Sequence, residues 1–219
     1  MLYRFAAILP LVVGCASAGK DTGRNTGTDS GIQLLDSGPG YDSVPLRDAP
    51  PGCVMQTQEL LVNGNFDSAP LGTGWTQSDP SLVTSADGVA EQSAPNKGWL
   101  GGVTSGTDLL YQDVAIPAST TALAISGFFD VRSAEDPNDP LGPYDFGRAE
   151  LVTTGGTLID TIGTYDDSKP QAAWVALSHT FTANVAGQTV RLRFTSTNDG
   201  INPTSFYFDT LSLRATICP

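Results

Sequence analysis

The sequence predicts an all-β fold for residues 53–219, with two antiparallel sheets packed as a sandwich. Short runs of alternating apolar residues recur there between turn-forming residues, and no segment keeps a 3.6-residue period for long. The chain contains 24 glycines and 15 prolines but only 16% charged residues, a composition typical of strands and turns. About eight to ten short strands in one domain favour a sandwich over other β architectures.

Residues 1–14 have the features of an export signal. Arg4 supplies a positive charge, and the apolar stretch 5–13 that follows is too short to cross a bilayer as a helix. The stretch ends in Val12-Val13-Gly14-Cys15, which resembles the bacterial lipobox. The resemblance implies that Cys15 is lipidated and anchors the protein to a membrane of the cell envelope. Because Ala16 is not an aspartate, we expect the outer membrane. A plain secretory signal with a chance cysteine is the alternative.

Residues 15–52 are predicted to form a flexible, lipid-anchored linker. The stretch 20–31 is of low complexity and nearly free of apolar side chains. Such a segment cannot bury enough apolar surface to offset the entropy lost on ordering. A coil of this length reaches roughly 30–35 Å, which would hold the domain clear of a membrane surface.

The three cysteines are Cys15, Cys53 and Cys218. If Cys15 is lipidated, the other two remain, and an exported protein can pair them. They lie at the two ends of the predicted domain, so a bridge would close a loop of about 165 residues. Two independent thiols are the alternative.

Nine segments alternate as strands do: 60–62, 99–103, 109–116, 123–131, 149–153, 158–162, 175–181, 190–195 and 206–213. The last one changes phase, since Phe206 and Phe208 are apolar at even positions and Leu211 and Leu213 at odd positions. A shift of one residue exchanges the two faces of a strand. Either a β-bulge lies near Asp209-Thr210, or both faces of this strand are covered.

Two sequence motifs mark the ends of the domain. The first is Leu61-Val62-Asn63-Gly64-Asn65-Phe66-Asp67 with Gly74-Trp75. The second is Phe206-Tyr207-Phe208-Asp209-Thr210-Leu211-Ser212-Leu213. Both are similar to motifs of galactose-binding-like jelly rolls, which include many carbohydrate-binding modules. Motifs between them, such as Trp99-Leu100-Gly101-Gly102, look like those of jelly-roll modules appended to secreted bacterial peptidases. The resemblance implies a jelly-roll connection of the two sheets, with the first and last strands side by side.

The same resemblance implies one structural calcium ion between the first and last strands. Asp67 and Asp209 match the positions that supply carboxylates in those modules, and Asn65 is a neighbouring candidate ligand. Calcium takes six to eight oxygen ligands, so carbonyls and waters would complete the shell. Asp67 is shorter than the usual glutamate, and Thr210 replaces a second acidic residue. The alternative is that Asp67 caps a turn and Asp209 pairs with an arginine.

Candidate ligand-binding residues lie on the sides of strands that point away from the apolar core. Phe128, Asp130 and Arg132 share one such side, and Arg193 lies on another. An aromatic ring can cover the apolar face of a sugar while charged groups bind its hydroxyls. The alternative is a ladder of cross-strand ion pairs on a solvated sheet.

The predicted function is a non-catalytic binding module displayed on the cell envelope, with a glycan as the favoured ligand. A net charge of -12 repels phosphate backbones, which opposes nucleic acid as a partner. His179, the one histidine of the chain, shares a face with apolar residues, as a structural histidine does. The alternative is a protein-interaction or adhesion module, or a structural accessory lipoprotein of the outer membrane.

Overall fold

The structure is a computed structural model, and it describes residues 53–86 and 88–219. The predicted signal, Cys15 and the predicted linker lie outside the described residues. Within the described ranges the chain forms only strands, turns and bends. No helix long and apolar enough to cross a membrane is found in them.

Eleven strands run through the described residues, and their bounds are β1 (Gln56–Glu59), β2 (Thr76–Gln77), β3 (Val83–Thr84), β4 (Lys97–Gly101), β5 (Gly106–Ala115), β6 (Thr120–Ser133), β7 (Phe146–Thr153), β8 (Leu158–Asp166), β9 (Val175–Phe181), β10 (Thr189–Asn198) and β11 (Thr204–Ile217). One sheet has the order β3-β4-β11-β6-β9, with β1 also paired to β11, and has six strands. The other has five, in the order β2-β5-β10-β7-β8. All pairings are antiparallel, which confirms the predicted fold class.

The core lies between the two sheets and follows from the alternation of their strands. On β10, Val190, Leu192 and Phe194 are fully buried, while Arg191 and Arg193 between them point away from the core. The Phe194 ring meets Phe208 of β11 with 4.4 Å between ring centroids, which joins the two sheets. Full burial of one such apolar side chain stabilises the fold by about 1.5–3 kcal/mol.

A β-bulge interrupts β11 where the sequence changes phase. The register of β11 against β6 shifts between Asp209 and Ser212, and Thr210 adopts a φ of 52°. The extra residue returns Leu211 and Leu213 to the buried face that already holds Phe208. The register shift confirms the predicted bulge. Because of the bulge, the core-facing side of β11 stays apolar along the strand.

The two ends of the domain meet. β1 pairs with the end of β11, and a disulfide joins Cys53 to Cys218 with 5.6 Å between their Cα atoms, as predicted. The sequence placed the first strand at 60–62, whereas β1 ends at Glu59. The Glu59 carboxylate accepts the Leu61 N–H at 3.0 Å, and the Gln112 side chain bonds both backbone groups of Val62. These side chains replace the partners that a strand would have supplied.

Candidate functional site

A groove of about 480 Å³ crosses the outer face of the five-stranded sheet, which is the face turned away from the core. Three strands supply its lining, which consists of Thr107 from β5, Phe146, Arg148 and Glu150 from β7, and Arg193, Thr195 and Thr197 from β10. We call it the β7/β10 groove.

The antiparallel register places these side chains in cross-strand rows. Arg193 stands opposite Glu150, and Thr197 stands opposite Phe146. Side chains alternate between faces along a strand. Because Leu192 and Phe194 are in the core, Arg193 must point into the groove.

An arginine–glutamate pair forms one wall of the groove. Arg193 donates to Glu150 Oε2 from Nη2 at 2.6 Å and from Nε at 3.2 Å. Glu150 is only 6% exposed, so the pair is half shielded from solvent. Charge-assisted hydrogen bonds of this kind fix both side chains before any ligand arrives.

A second ordered arginine lies beside the groove. Arg191 donates from Nε and Nη2 to the two carboxylate oxygens of Asp113, at 2.7 and 3.0 Å. Its guanidinium also lies 3.7 Å from the centroid of the Tyr111 ring. The hydrogen bond from Arg191 lowers the pKa of Asp113 and keeps its carboxyl ionised. This face of the sheet is therefore covered by arginine side chains held in defined positions.

Two lining side chains are not engaged by their surroundings. The Phe146 side chain is 42% exposed, which is unusual for a large aromatic residue within a strand. Arg148 is exposed and forms no ion pair or hydrogen bond with any residue in 53–86 or 88–219. The groove thus offers an exposed apolar ring two residues along β7 from a cation that no described residue pairs.

Of the predicted ligand residues, Arg193 lies in the β7/β10 groove, whereas Phe128, Asp130 and Arg132 lie on β6 of the other sheet. Asp130 is 1% exposed, and its Oδ2 atom accepts two hydrogen bonds from Arg132, at 2.9 and 2.7 Å. Asp130 and Arg132 therefore bind each other, and the four residues do not form one site.

Other parts of the chain cover the outer face of the six-stranded sheet. Trp174 donates its Nε1–H to the carbonyl of Ala90 at 2.9 Å, and Lys97 donates to the carbonyl of Val89 at 2.8 Å. Beneath these contacts Tyr207 is only 3% exposed. Phe128 itself is half-buried. The face that carries the predicted aromatic residue is thus less open than the face with Phe146.

The residues predicted to bind calcium hold a loop through hydrogen bonds. Asp67 accepts the Asn96 N–H at 3.0 Å and an N–H of the Asn65 side chain at 2.6 Å. Asp209 is fully buried and accepts both the N–H and the hydroxyl of Ser93. Burial raises the pKa of Asp209, and the hydrogen bonds from Ser93 oppose this.

Calcium binding by Asp67, Asn65 and Asp209 stays a prediction. The carboxylates of Asp67 and Asp209 each accept hydrogen bonds from the protein, and Asn65 turns its amide nitrogen, not its oxygen, towards Asp67. Through these hydrogen bonds Asp67 and Asp209 fasten the segment 93–96 to the sandwich.

His179 lies outside the groove. It belongs to β9, and its Nε2 atom is 3.0 Å from Asp160 Oδ2 on β8, while its ring packs against Phe181. The side chain therefore links the edges of the two sheets.

The fold and the groove define a β-sandwich with a preorganised polar surface on one sheet. No family model and no curated protein matches the chain. It is similar to the solved structure of TmCBM61 in complex with β-1,4-galactotriose (11% identity, 71% of this chain and 98% of that chain, TM-score 0.47). It is also similar to a Stig cyclase, Fisc from Fischerella sp. TAU (14%, 75% and 100%, 0.47), and to the CBM22-1 xylan-binding domain of Paenibacillus barcinonensis Xyn10C (15%, 73% and 96%, 0.41).

Proposed function

We propose that the β7/β10 groove binds a glycan chain and performs no reaction on it. The observation that carries this proposal is the exposed Phe146 ring beside a prearranged set of charged and hydroxyl groups. Binding sites for small polar ligands combine an apolar surface with a few fixed polar groups. A sugar ring presents the matching pair of surfaces, an apolar face of C–H groups and a rim of hydroxyls.

Phe146 would supply the apolar contact. Its ring stands on the outer face of the sheet among threonine and arginine side chains. Covering it removes apolar surface from water, at about 25 cal/mol per Å². An aromatic ring is rigid, so the contact forms with little loss of side-chain entropy.

The polar contacts would come from the Arg193–Glu150 pair and from the hydroxyls of Thr107, Thr195 and Thr197. The pair keeps guanidinium donors and carboxylate acceptors side by side, which suits adjacent sugar hydroxyls because each hydroxyl both donates and accepts. Since Arg193 and Glu150 already hold each other, little side-chain entropy is lost on binding.

Charge favours an acidic sugar. The groove contains Arg148, Arg193 and Glu150, so two positive charges and one negative charge leave a net +1 on a chain of net charge -12. A local positive site on an acidic protein attracts an anionic group to that place. Polysaccharides containing uronic acids therefore belong in the binding test beside neutral ones.

The test is a panel of neutral and uronate polysaccharides, followed by calorimetric titration of whatever binds. We expect Phe146→Ala to weaken binding at least about tenfold, because an aromatic contact at the centre of a site carries much of the affinity. Phe128→Ala, on the opposite sheet, is the matched control and should leave the affinity unchanged.

Absence of binding across the panel would refute the glycan proposal, as would an equal loss in both variants. A stoichiometric protein partner whose binding needs Phe146 would instead establish the protein-interaction alternative.

We further propose that a lipid on Cys15 displays this module on the cell envelope. The lipobox-like Val12-Val13-Gly14-Cys15 and the apolar stretch before it support this. Changing Cys15 to alanine should move the protein from the membrane fraction to the soluble fraction, whereas Ser17→Ala should not. Retention of Cys15→Ala in membranes would contradict the anchor.

A further inference from the structure

Asp145, Asp167 and Asn198 occupy neighbouring register positions at one end of the sandwich, where β7 begins and where β8 and β10 end. Phe146, the first residue of β7, pairs with Asp166 of β8 and with Thr197 of β10. Asp145 directly precedes β7, Asp167 directly follows β8, and Asn198 is the last residue of β10. The Asp167 N–H donates to the Asp145 carbonyl at 3.3 Å, which keeps the backbones of Asp145 and Asp167 adjacent.

All three side chains are buried. Asp145 is 0% exposed, Asp167 is 2% exposed and Asn198 is 5% exposed. Alternation along β10 explains the burial of Asn198, since it shares the inner face with Phe194 and Ser196. The three oxygen-bearing groups thus occupy the inner, core-facing end of the sandwich.

Their hydrogen bonds leave acceptors without partners. Asp145 uses Oδ1 to accept the Asp199 N–H at 2.8 Å, but its buried Oδ2 atom accepts no hydrogen bond from any residue in 53–86 or 88–219. Asn198 donates from its amide nitrogen to the Thr204 carbonyl at 2.7 Å, and its buried Oδ1 atom has no hydrogen-bond partner among the same residues. Both carboxylate oxygens of Asp167 share a single donor, the Tyr144 N–H.

No positive group compensates these carboxylates. Neither Asp145 nor Asp167 forms an ion pair with any lysine, arginine or histidine of the described ranges. Two buried, uncompensated carboxylates strongly disfavour the folded state.

We propose that Asp145, Asp167 and Asn198 bind a calcium ion at this end of the sandwich. Two carboxylates and an amide oxygen are hard oxygen ligands of the type that calcium prefers, and carbonyls or waters would complete its shell. The ion neutralises both carboxylates and ties β7, β8 and β10 together beneath the Phe146 end of the groove. This site is separate from Asp67 and Asp209.

The full chain, freed of metal with EDTA, tests the proposal by thermal unfolding with and without calcium chloride. At a calcium concentration about a hundredfold above the dissociation constant, the unfolding temperature should rise by about 5–10 °C. Terbium luminescence provides a direct count of bound ions. No bound terbium and no calcium-dependent shift would overturn the proposal.

The Asp145→Asn variant distinguishes this calcium site from the one predicted at Asp67 and Asp209. The change keeps the size of the side chain and removes its charge, so the calcium-dependent shift should disappear. In EDTA the variant should unfold at or above the temperature of the wild type, because an uncompensated buried charge is gone.

Asp209→Asn and Asp67→Asn are the matched controls and should keep the calcium-dependent shift. A shift that survives Asp145→Asn but vanishes in Asp209→Asn would assign the ion to Asp209 and refute the proposal. If Asp145→Asn does not fold, Asp167→Asn provides the same comparison. None of these readouts depends on glycan binding.

Discussion

Replacing both Cys53 and Cys218 with serine will lower the free energy of unfolding by about 5 kcal/mol, according to the chain-entropy estimate for a loop of this length. The disulfide spans 165 residues and encloses the whole sandwich. Without the disulfide, the two ends of the unfolded chain are no longer linked, so the unfolded state gains conformational entropy. The folded state keeps its β1–β11 pairing. Urea unfolding of the oxidised protein and of the double variant measures the difference.

Reduction provides the internal control for this prediction. Dithiothreitol should lower the unfolding midpoint of the wild type towards that of the double variant, and should leave the variant unchanged. Equal midpoints for the oxidised wild type and the double variant would show that the bridge contributes nothing to stability.

Gly64→Ala will also destabilise the fold, by about 3 kcal/mol or more, since it forces overpacking against the main chain. A Cβ atom at position 64 would lie 1.9 Å from the carbonyl oxygen of Leu211. The Leu211 N–H donates to the Gly64 carbonyl at 2.8 Å, directly after the bulge in β11. Because the obstacle is backbone, the turn must move away and this hydrogen bond must lengthen or break.

Gly155→Ala is the matched control, because its Cβ would meet only Thr153 Oγ1, at an ordinary 3.7 Å. Chemical denaturation of the two alanine variants compares them directly. A Gly64→Ala protein as stable as Gly155→Ala would show that the contact between the Asn63–Phe66 turn and β11 is less tight than the structure has it.

Both changes act on the junction of the first and last strands, whereas the β7/β10 groove is built on the other sheet. The groove takes its residues from β5, β7 and β10, and the core separates these strands from β11. Molecules of either variant that remain folded should therefore bind the same ligand with unchanged affinity. This separates effects on stability from effects on the site.

Much of the fold could be predicted from local pattern. The alternation of Val190, Leu192 and Phe194 with Arg191 and Arg193 indicated both a strand and its buried face. The change of phase between Phe208 and Leu211 indicated a bulge. The first strand was misplaced because Glu59 and Gln112 supply side-chain partners to the backbone of residues 61 and 62, and no local pattern reports such distant contacts.

The candidate site was predicted only in part. The same alternation that placed Arg193 outside the core also places Phe146 and Arg148 there, so a signal for them was present between Asp145 and Glu150. What the pattern lacked was a reason to prefer one outer face over the other. Phe128 met the same criterion as Phe146, and the contacts that partly cover its sheet come from Val89, Ala90 and Trp174.

The amino-acid sequence by itself determined which residues of each strand are inward or outward, because side chains alternate along an extended backbone whatever the chain does elsewhere. It also indicated which cysteines remain to be paired. Only the tertiary structure decided which outer face stays open, and that Asp145, Asp167 and Asn198 end up side by side and buried. Those outcomes depend on pairings between residues tens of positions apart, which are selected by the packing of the whole sandwich.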